Sequence, residues 1–174
     1  MSRVTPPTLE TARLRMRPLV AADAVALNTI QSDAEHMRFY PHPFSLAESE
    51  QWIERMQERY ARDGFAVLAV LDRATGEFLG NVGPMVQRVD GVDEVELGWS
   101  ITPALARQGI ATEAARAARE WVFAHLPADH VISLIRPDNA PSRGVAERLG
   151  MTVWKETIWG REDPRVHLVY RSDR

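Results

Sequence analysis

The stretch from Val92 to Ala124 constrains this chain more than any other. Val95, Leu97, Trp99 and Ile101 alternate with Glu94, Glu96, Gly98 and Ser100, the period-2 pattern of a strand with one apolar face. Thr102 to Gln108 reads as a loop. From Gly109 to Ala124 the period changes, with Ile110, Ala114, Ala117, Trp121 and Val122 at helical spacing. A short apolar run, Val131 to Ile135, follows as a strand. Strand, loop, helix and strand in that order predict a right-handed crossover and a local parallel pairing.

The flanking segments predict a larger, mostly antiparallel sheet. Leu9 to Arg17 ends in strict alternation and reads as a strand stopped by Pro18. Ala21 to Gln31 reads as a helix. A second begins at Ser45, where Ser45-Leu46-Ala47-Glu48 is a capping box, and runs to Arg62 before Asp63-Gly64. Phe65 to Leu71, Phe78 to Val86 and Val92 to Ile101 are strands, the last two joined by an Asp90-Gly91 hairpin signal. Ala140 to Leu149 is a helix closed by Gly150, and Val153 to Trp159 with Arg165 to Arg171 form a closing antiparallel pair. No repeat or linker divides the chain, so residues 1–174 are expected to form a single α+β domain, a mixed sheet flanked by helices.

Composition narrows the chemistry. At 174 residues, the chain can bury roughly two thirds of its unfolded surface without cross-links. It is 45% hydrophobic and 26% charged, as expected of a soluble globular protein. A net charge of −3 gives no cationic field for nucleic acid or an anionic membrane, so neither is expected as a partner. With no cysteine, disulfides, thiolate metal sites and cysteine nucleophiles are excluded. The five histidines lack metal-ligand spacing, and no metal is expected. Lys155 is the single lysine and the sole candidate for Schiff-base chemistry. Met1 to Glu10 contains no apolar leader core, and a cytoplasmic location is expected.

The turn into the central helix is the candidate ligand site. Gly109, Ala111 and Thr112 are small, and the first amides of a helix lack internal partners and carry the positive end of its dipole. Such a turn suits a pyrophosphate, although neither familiar phosphate-loop pattern is present. A plain strand-to-helix turn that needs a glycine would look the same.

The order of motifs settles more than each piece does. Leu9-Glu10-Thr11-Ala12-Arg13-Leu14-Arg15-Met16-Arg17-Pro18, Glu96-Leu97-Gly98-Trp99, Gly109-Ile110-Ala111-Thr112-Glu113-Ala114, Asn139-Ala140-Pro141-Ser142 and Glu147-Arg148-Leu149-Gly150-Met151 together resemble the GNAT acyltransferase superfamily. The resemblance covers nearly the whole chain and is greatest to the subgroup of ribosomal-protein N-terminal acetyltransferases. It implies a sheet with a central splayed strand pair, acetyl-CoA as cosubstrate, and direct attack by an amine. The acceptor is a protein N-terminus or a small molecule, and a non-catalytic CoA-binding protein is the rival from another class. A homodimer is one open assembly.

Residue roles follow from the resemblance. The pantetheine arm is expected along the free edge of Trp99, Ser100 and Ile101, and the pyrophosphate on Arg107, Gln108, Gly109, Ile110, Ala111 and Thr112. The family's usual motif departs here, with Ala106 at a Gln/Arg position and Arg107 where glycine is frequent. Asn139 corresponds to a residue on the CoA arm, yet Asn before Pro141 is also an ordinary helix cap. No tyrosine follows on that helix, which leaves Ser142 as the hydroxyl that could protonate the departing thiolate and touch the cofactor. Glu96 is the candidate general base, with a salt-bridged strand carboxylate as its alternative. Asp93 and Glu94 would draw a cationic acceptor, or merely keep a hairpin soluble. Phe39, Tyr40, His42, Trp52, Trp159 and His167 are candidates for the acceptor pocket, each of them also able to serve as core or surface.

Overall fold

The computed structural model describes residues 5–174. Residues 1–4, the start of the segment read for a leader, lie outside it. The strands are β1 (Leu9–Glu10), β2 (Leu14–Pro18), β3 (Leu68–Asp72), β4 (Phe78–Val89), β5 (Val92–Ile101), β6 (His130–Ile135), β7 (Thr152–Trp159) and β8 (Arg165–Asp173). The helices are α1 (Ala24–Gln31), α2 (Leu46–Asp63), α3 (Ile110–His125) and α4 (Ala140–Arg148). All eight strands join one sheet in the order β1-β2-β3-β4-β5-β6-β8-β7. β5 and β6 run parallel, as the crossover through α3 requires. The other neighbouring pairs are antiparallel.

Helices cover both faces. On one, α3 buries Ile110, Ala114, Ala118 and Val122 against Leu14, Met16, Val82 and Leu97. On the other, α1 and α2 bury Leu27, Ile53 and Met56 against Val67 and Ala69. Side chains alternate across a strand, so the apolar residues of β5 pack toward α3 while Glu96, Gly98 and Ser100 turn to the α1–α2 side. The capping box of α2 forms: Glu48 N–H donates to Ser45 Oγ at 3.2 Å, and Ser45 N–H to Glu48 Oε2 at 2.7 Å.

Three of the differences from the sequence reading have a local reason. The segment Leu9 to Arg17 is a hairpin rather than one strand. Thr11 N–H donates to the Leu14 carbonyl at 2.9 Å and Leu14 N–H to Thr11 Oγ1 at 3.1 Å, folding β1 back on β2. β3 starts at Leu68 instead of Phe65, because the Tyr60 hydroxyl donates to the Val67 carbonyl and removes it from the ladder. The first helix opens as a 3₁₀ turn, Ala21–Asp23, where Asp23 accepts from Arg17 at 2.8 and 2.9 Å. One glycine fixes how closely β4 can approach β5. At Gly80 (φ 146°), a Cβ would lie 2.1 Å from the Ser100 carbonyl oxygen.

Candidate active site

The sheet opens where β5 leaves β6. Their ladder registers at one pair, Glu96 with Ile132. Side chains occupy part of the gap beyond it. Ser133 Oγ donates to the Leu97 carbonyl at 2.8 Å, and Leu134 N–H points to Glu96 Oε1 at 3.4 Å. Trp99, Ser100 and Ile101 stay paired with β4, through Val82, Asn81 and Gly80. A cleft of about 790 Å³ is lined by Glu96, Gly98, Trp99 and Ser100 from β5, Ser133 and Leu134 from β6, and Asn139 and Ser142 from the start of α4.

Glu96 is the unusual titratable group of this cleft. Its side chain is 8% exposed, and burial pushes its pKa up from 4.5 to about 7. Hydrogen bonds from Gln87 and the Leu134 amide, and the charge of Arg59, oppose that rise without cancelling it. Arg59 itself is held by its bond to the Val86 carbonyl at 2.6 Å. A carboxylate titrating near neutrality, in a cleft, is matched to general-base work. The alternation in β5 put Glu96 on the polar face with Glu94, and the family resemblance singled it out. Arg59 and Gln87, from other elements, carried no signal in the sequence.

The second half of the site is the N-terminus of α3. Gly109 caps the helix in the left-handed region at φ 78°, and Arg107 is left-handed too, at φ 66°. Left-handed residues in a turn re-aim successive amides, as anion-binding loops require. The β1–β2 turn clamps this loop. Arg13 Nη1 donates to the Gln108 carbonyl at 2.9 Å, and Arg13 Nε to Glu113 Oε2 at 2.7 Å. Thr11 Oγ1 donates to Glu113 Oε1 at 2.6 Å. A Cβ built at Gly109 would meet only Arg13 Nη2, at 3.5 Å, so the space beside the turn is open to a phosphate. Buried Thr112 Oγ1 has no hydrogen-bond partner. Ile110 and Thr112 are buried, which leaves their main chain as what a ligand could reach; Ala111 is half-buried, and Arg107 and Gln108 are exposed.

The remaining sequence candidates separate. Phe39, Tyr40, Trp52, Trp159 and His167 line the cleft. His42 does not; it is tied to Glu48 at 2.7 Å on the exposed loop before α2. Ile101 packs against the core. Asn139 caps α4, its Oδ1 accepting from Ser142 N–H at 3.2 Å. The expected acidic field of Asp93 and Glu94 is absent from the cleft. Asp93 pairs with Arg88 at 3.0 Å, and Glu94 turns to His130 at 2.8 Å. His36, which the sequence did not single out, reaches β5 and shares a 2.8 Å hydrogen bond with Ser100 Oγ.

The profile of the acetyltransferase (GNAT) domain matches residues 13–152, which include both halves of this site. The chain belongs to the GNAT acetyltransferase family. It is similar to the crystal structure of an acetyltransferase from Agrobacterium tumefaciens, with 31% identity, a TM-score of 0.82, and coverage of 97% of this chain and 95% of that one. It is 29% identical over 144 residues to YkkB of Bacillus subtilis, spanning 82% of this chain and 84% of the relative. At 15% identity and a TM-score of 0.72, it shares the fold of RimL, a ribosomal L7/L12 α-N-protein acetyltransferase solved in complex with coenzyme A. That alignment covers 94% of this chain and 95% of RimL. This GNAT protein is therefore an acetyltransferase acting on an amine, built on the mixed sheet described above.

Proposed function

We propose that the chain is a single-domain, acetyl-CoA-dependent N-acetyltransferase of the cytoplasm whose acceptor is an α-amine, such as a protein N-terminus. The buried Glu96 carboxylate at the splay, titrating at about 7, carries this reading. An α-amino group titrates at ~7.7–8.0 and a lysine at ~10.4, so Glu96 takes a proton from the first with little penalty and from the second only steeply uphill. RimL, a ribosomal L7/L12 α-N-protein acetyltransferase, shares the fold.

Acetyl-CoA supplies the acetyl group as a reactive thioester. The amides at the start of α3, with Gly109, Arg107 and Gln108 around them, hold the pyrophosphate. Arg13 and Glu113 position that turn. The main chain of Trp99, Ser100 and Ile101 receives the pantetheine arm, and Asn139 adds a side-chain amide. The amine loses its proton to Glu96 and attacks the thioester carbon. A C–N bond forms and the C–S bond breaks; the nitrogen's second proton passes through the Ser142 hydroxyl, which gives its own to the departing sulfur and takes the nitrogen's in return. No helix among the described residues is long and apolar enough to cross a membrane.

The test is incubation of the protein with acetyl-CoA and an acceptor panel, with products read by mass spectrometry. The panel holds N-terminal peptides, peptides whose only amine is a lysine side chain, and small amines. Acetylation of free α-amines ahead of lysine side chains is expected. Lysine-only acetylation would overturn the α-amine assignment, and a failure to acetylate any amine would overturn catalysis.

A further inference from the structure

The charge of the cleft opposes the charge of the molecule. The chain carries −3, yet six arginines line the cleft against three carboxylates, Glu96, Glu162 and Asp163. Three of the six are neutralised locally: Arg88 by Asp93 at 3.0 Å, Arg136 by Asp138 at 3.2 Å, and Arg165 by Asp163 at 2.8 Å. Arg55, Arg59 and Arg161 remain, against Glu96 and Glu162. Among the described residues, neither Arg55 nor Arg161 has a carboxylate within ion-pair distance. Arg59 spends one guanidinium nitrogen on a backbone carbonyl and faces Glu96, which is half protonated near pH 7.

These cations come from both flanks of the base. Arg55 and Arg59 are four apart on α2, and so share one helix face. Arg161 lies in the turn between β7 and β8. In the sheet order, β5 with Glu96 runs between the strands that α2 covers and the β8-β7 edge. A cationic amine entering alone would meet like charge on both sides. An amine accompanied by carboxylates would bring its amino group to Glu96 and its anionic groups to the guanidiniums, which match carboxylate geometry in a bidentate fork.

We infer that the acceptor is an anionic amine: its amino group is flanked by one or more carboxylates that Arg55, Arg59 and Arg161 recognise. This deepens the proposed function and rests on it for the position of the reacting amine. Two sources share the chemistry, a peptide with acidic residues after its N-terminus and a free acidic amino acid.

Equilibrium binding tests the inference without requiring turnover. The CoA-loaded protein is titrated calorimetrically with Ala-Glu-Glu-amide, Ala-Gln-Gln-amide and Ala-Lys-Lys-amide in one arm, and in the other with glutamate and with glutamine α-amide, which has no carboxylate. In at least one arm, the acidic ligand is expected to bind about tenfold or more tightly than its neutral partner, a preference that salt weakens. A preference in the peptide arm alone identifies a polypeptide acceptor, and in the amino-acid arm alone a metabolite. Arg55→Glu and Arg161→Glu should each erode the preference, and Arg55→Gln should do so more mildly. Circular dichroism of each variant confirms that it is folded. Equal binding of acidic and neutral ligands in both arms overturns the inference, even where the α-amine panel shows turnover. So does an acidic preference that survives both charge reversals. Selective binding with no acetyl transfer would sustain the carboxylate site and overturn catalysis instead.

Discussion

Arg107 and Glu96 each hold a state that costs stability, one in its backbone and one in its charge. Arg107 holds a left-handed backbone without being glycine, at a cost of ~1 kcal/mol or more. Arg107→Gly should therefore raise the unfolding free energy by about 1 kcal/mol in a denaturant titration. Calorimetry should show weaker CoA binding in the same variant, because a phosphate loses its guanidinium. Unchanged CoA affinity would return Arg107 to an ordinary solvated loop residue. Glu96 is penalised by burial. Its folded pKa of about 7 lies above its ordinary 4.5, so the folded state holds a proton that the unfolded state releases. The group's contribution is complete below pH 4.5, declines as pH rises through that window, and is a net penalty above 7. Glu96→Gln should remove a penalty of about 3 kcal/mol at alkaline pH, raising Tm there and leaving acidic Tm almost unchanged. Thermal melts at both ends of the range check the sign.

At the scale of elements, the site is a strand that parts from its neighbour and two helix starts that face the gap. The start of α4 separates two roles that one residue combines. Asn139 Oδ1 caps the helix, and its amide nitrogen is the donor proposed for the CoA arm. Asn139→Asp keeps the cap, so Tm should not fall, but it removes the donor. The Michaelis constant for acetyl-CoA should rise about tenfold, the worth of one hydrogen bond. An unchanged constant would leave Asn139 as a cap alone. The crossover from β5 through α3 to β6 was legible because its period switches from two to helical spacing at Gly109. The α2 capping box was legible for the same local reason. The β1–β2 hairpin was not: its turn is closed locally by Thr11 and Leu14 with no glycine or proline to announce it, and Thr11 and Arg13 are then held by Glu113, a hundred residues away in the chain. Long-range pairs of this kind leave no periodic trace. Of the two readings of Asp93 and Glu94, the geometry favours the hairpin one: Asp93 pairs with Arg88, five residues away, and Glu94 with His130.

Across the whole molecule, the sheet carries the chemistry between two layers of helices. α3 covers the face that receives the apolar side of β5, and the opposite face keeps Glu96 among α2, β6 and the β7–β8 turn. Gly80 lets β4 support β5 closely on one edge while the other stands free of β6 beyond Glu96. The fold thus places a desolvated carboxylate in the cleft where β5 leaves β6. The central claim is that this carboxylate takes the proton of the acceptor amine. It is tested by the pH profile of kcat/KM for the wild type and Glu96→Gln, with one α-amine peptide acetylated by both. The wild type should show an acid limb with an apparent pKa of about 7. Glu96→Gln should lose ~10²-fold of turnover near neutrality, and the deficit should shrink as the amine deprotonates by itself above ~8. A variant with the wild-type profile at every pH would contradict the claim.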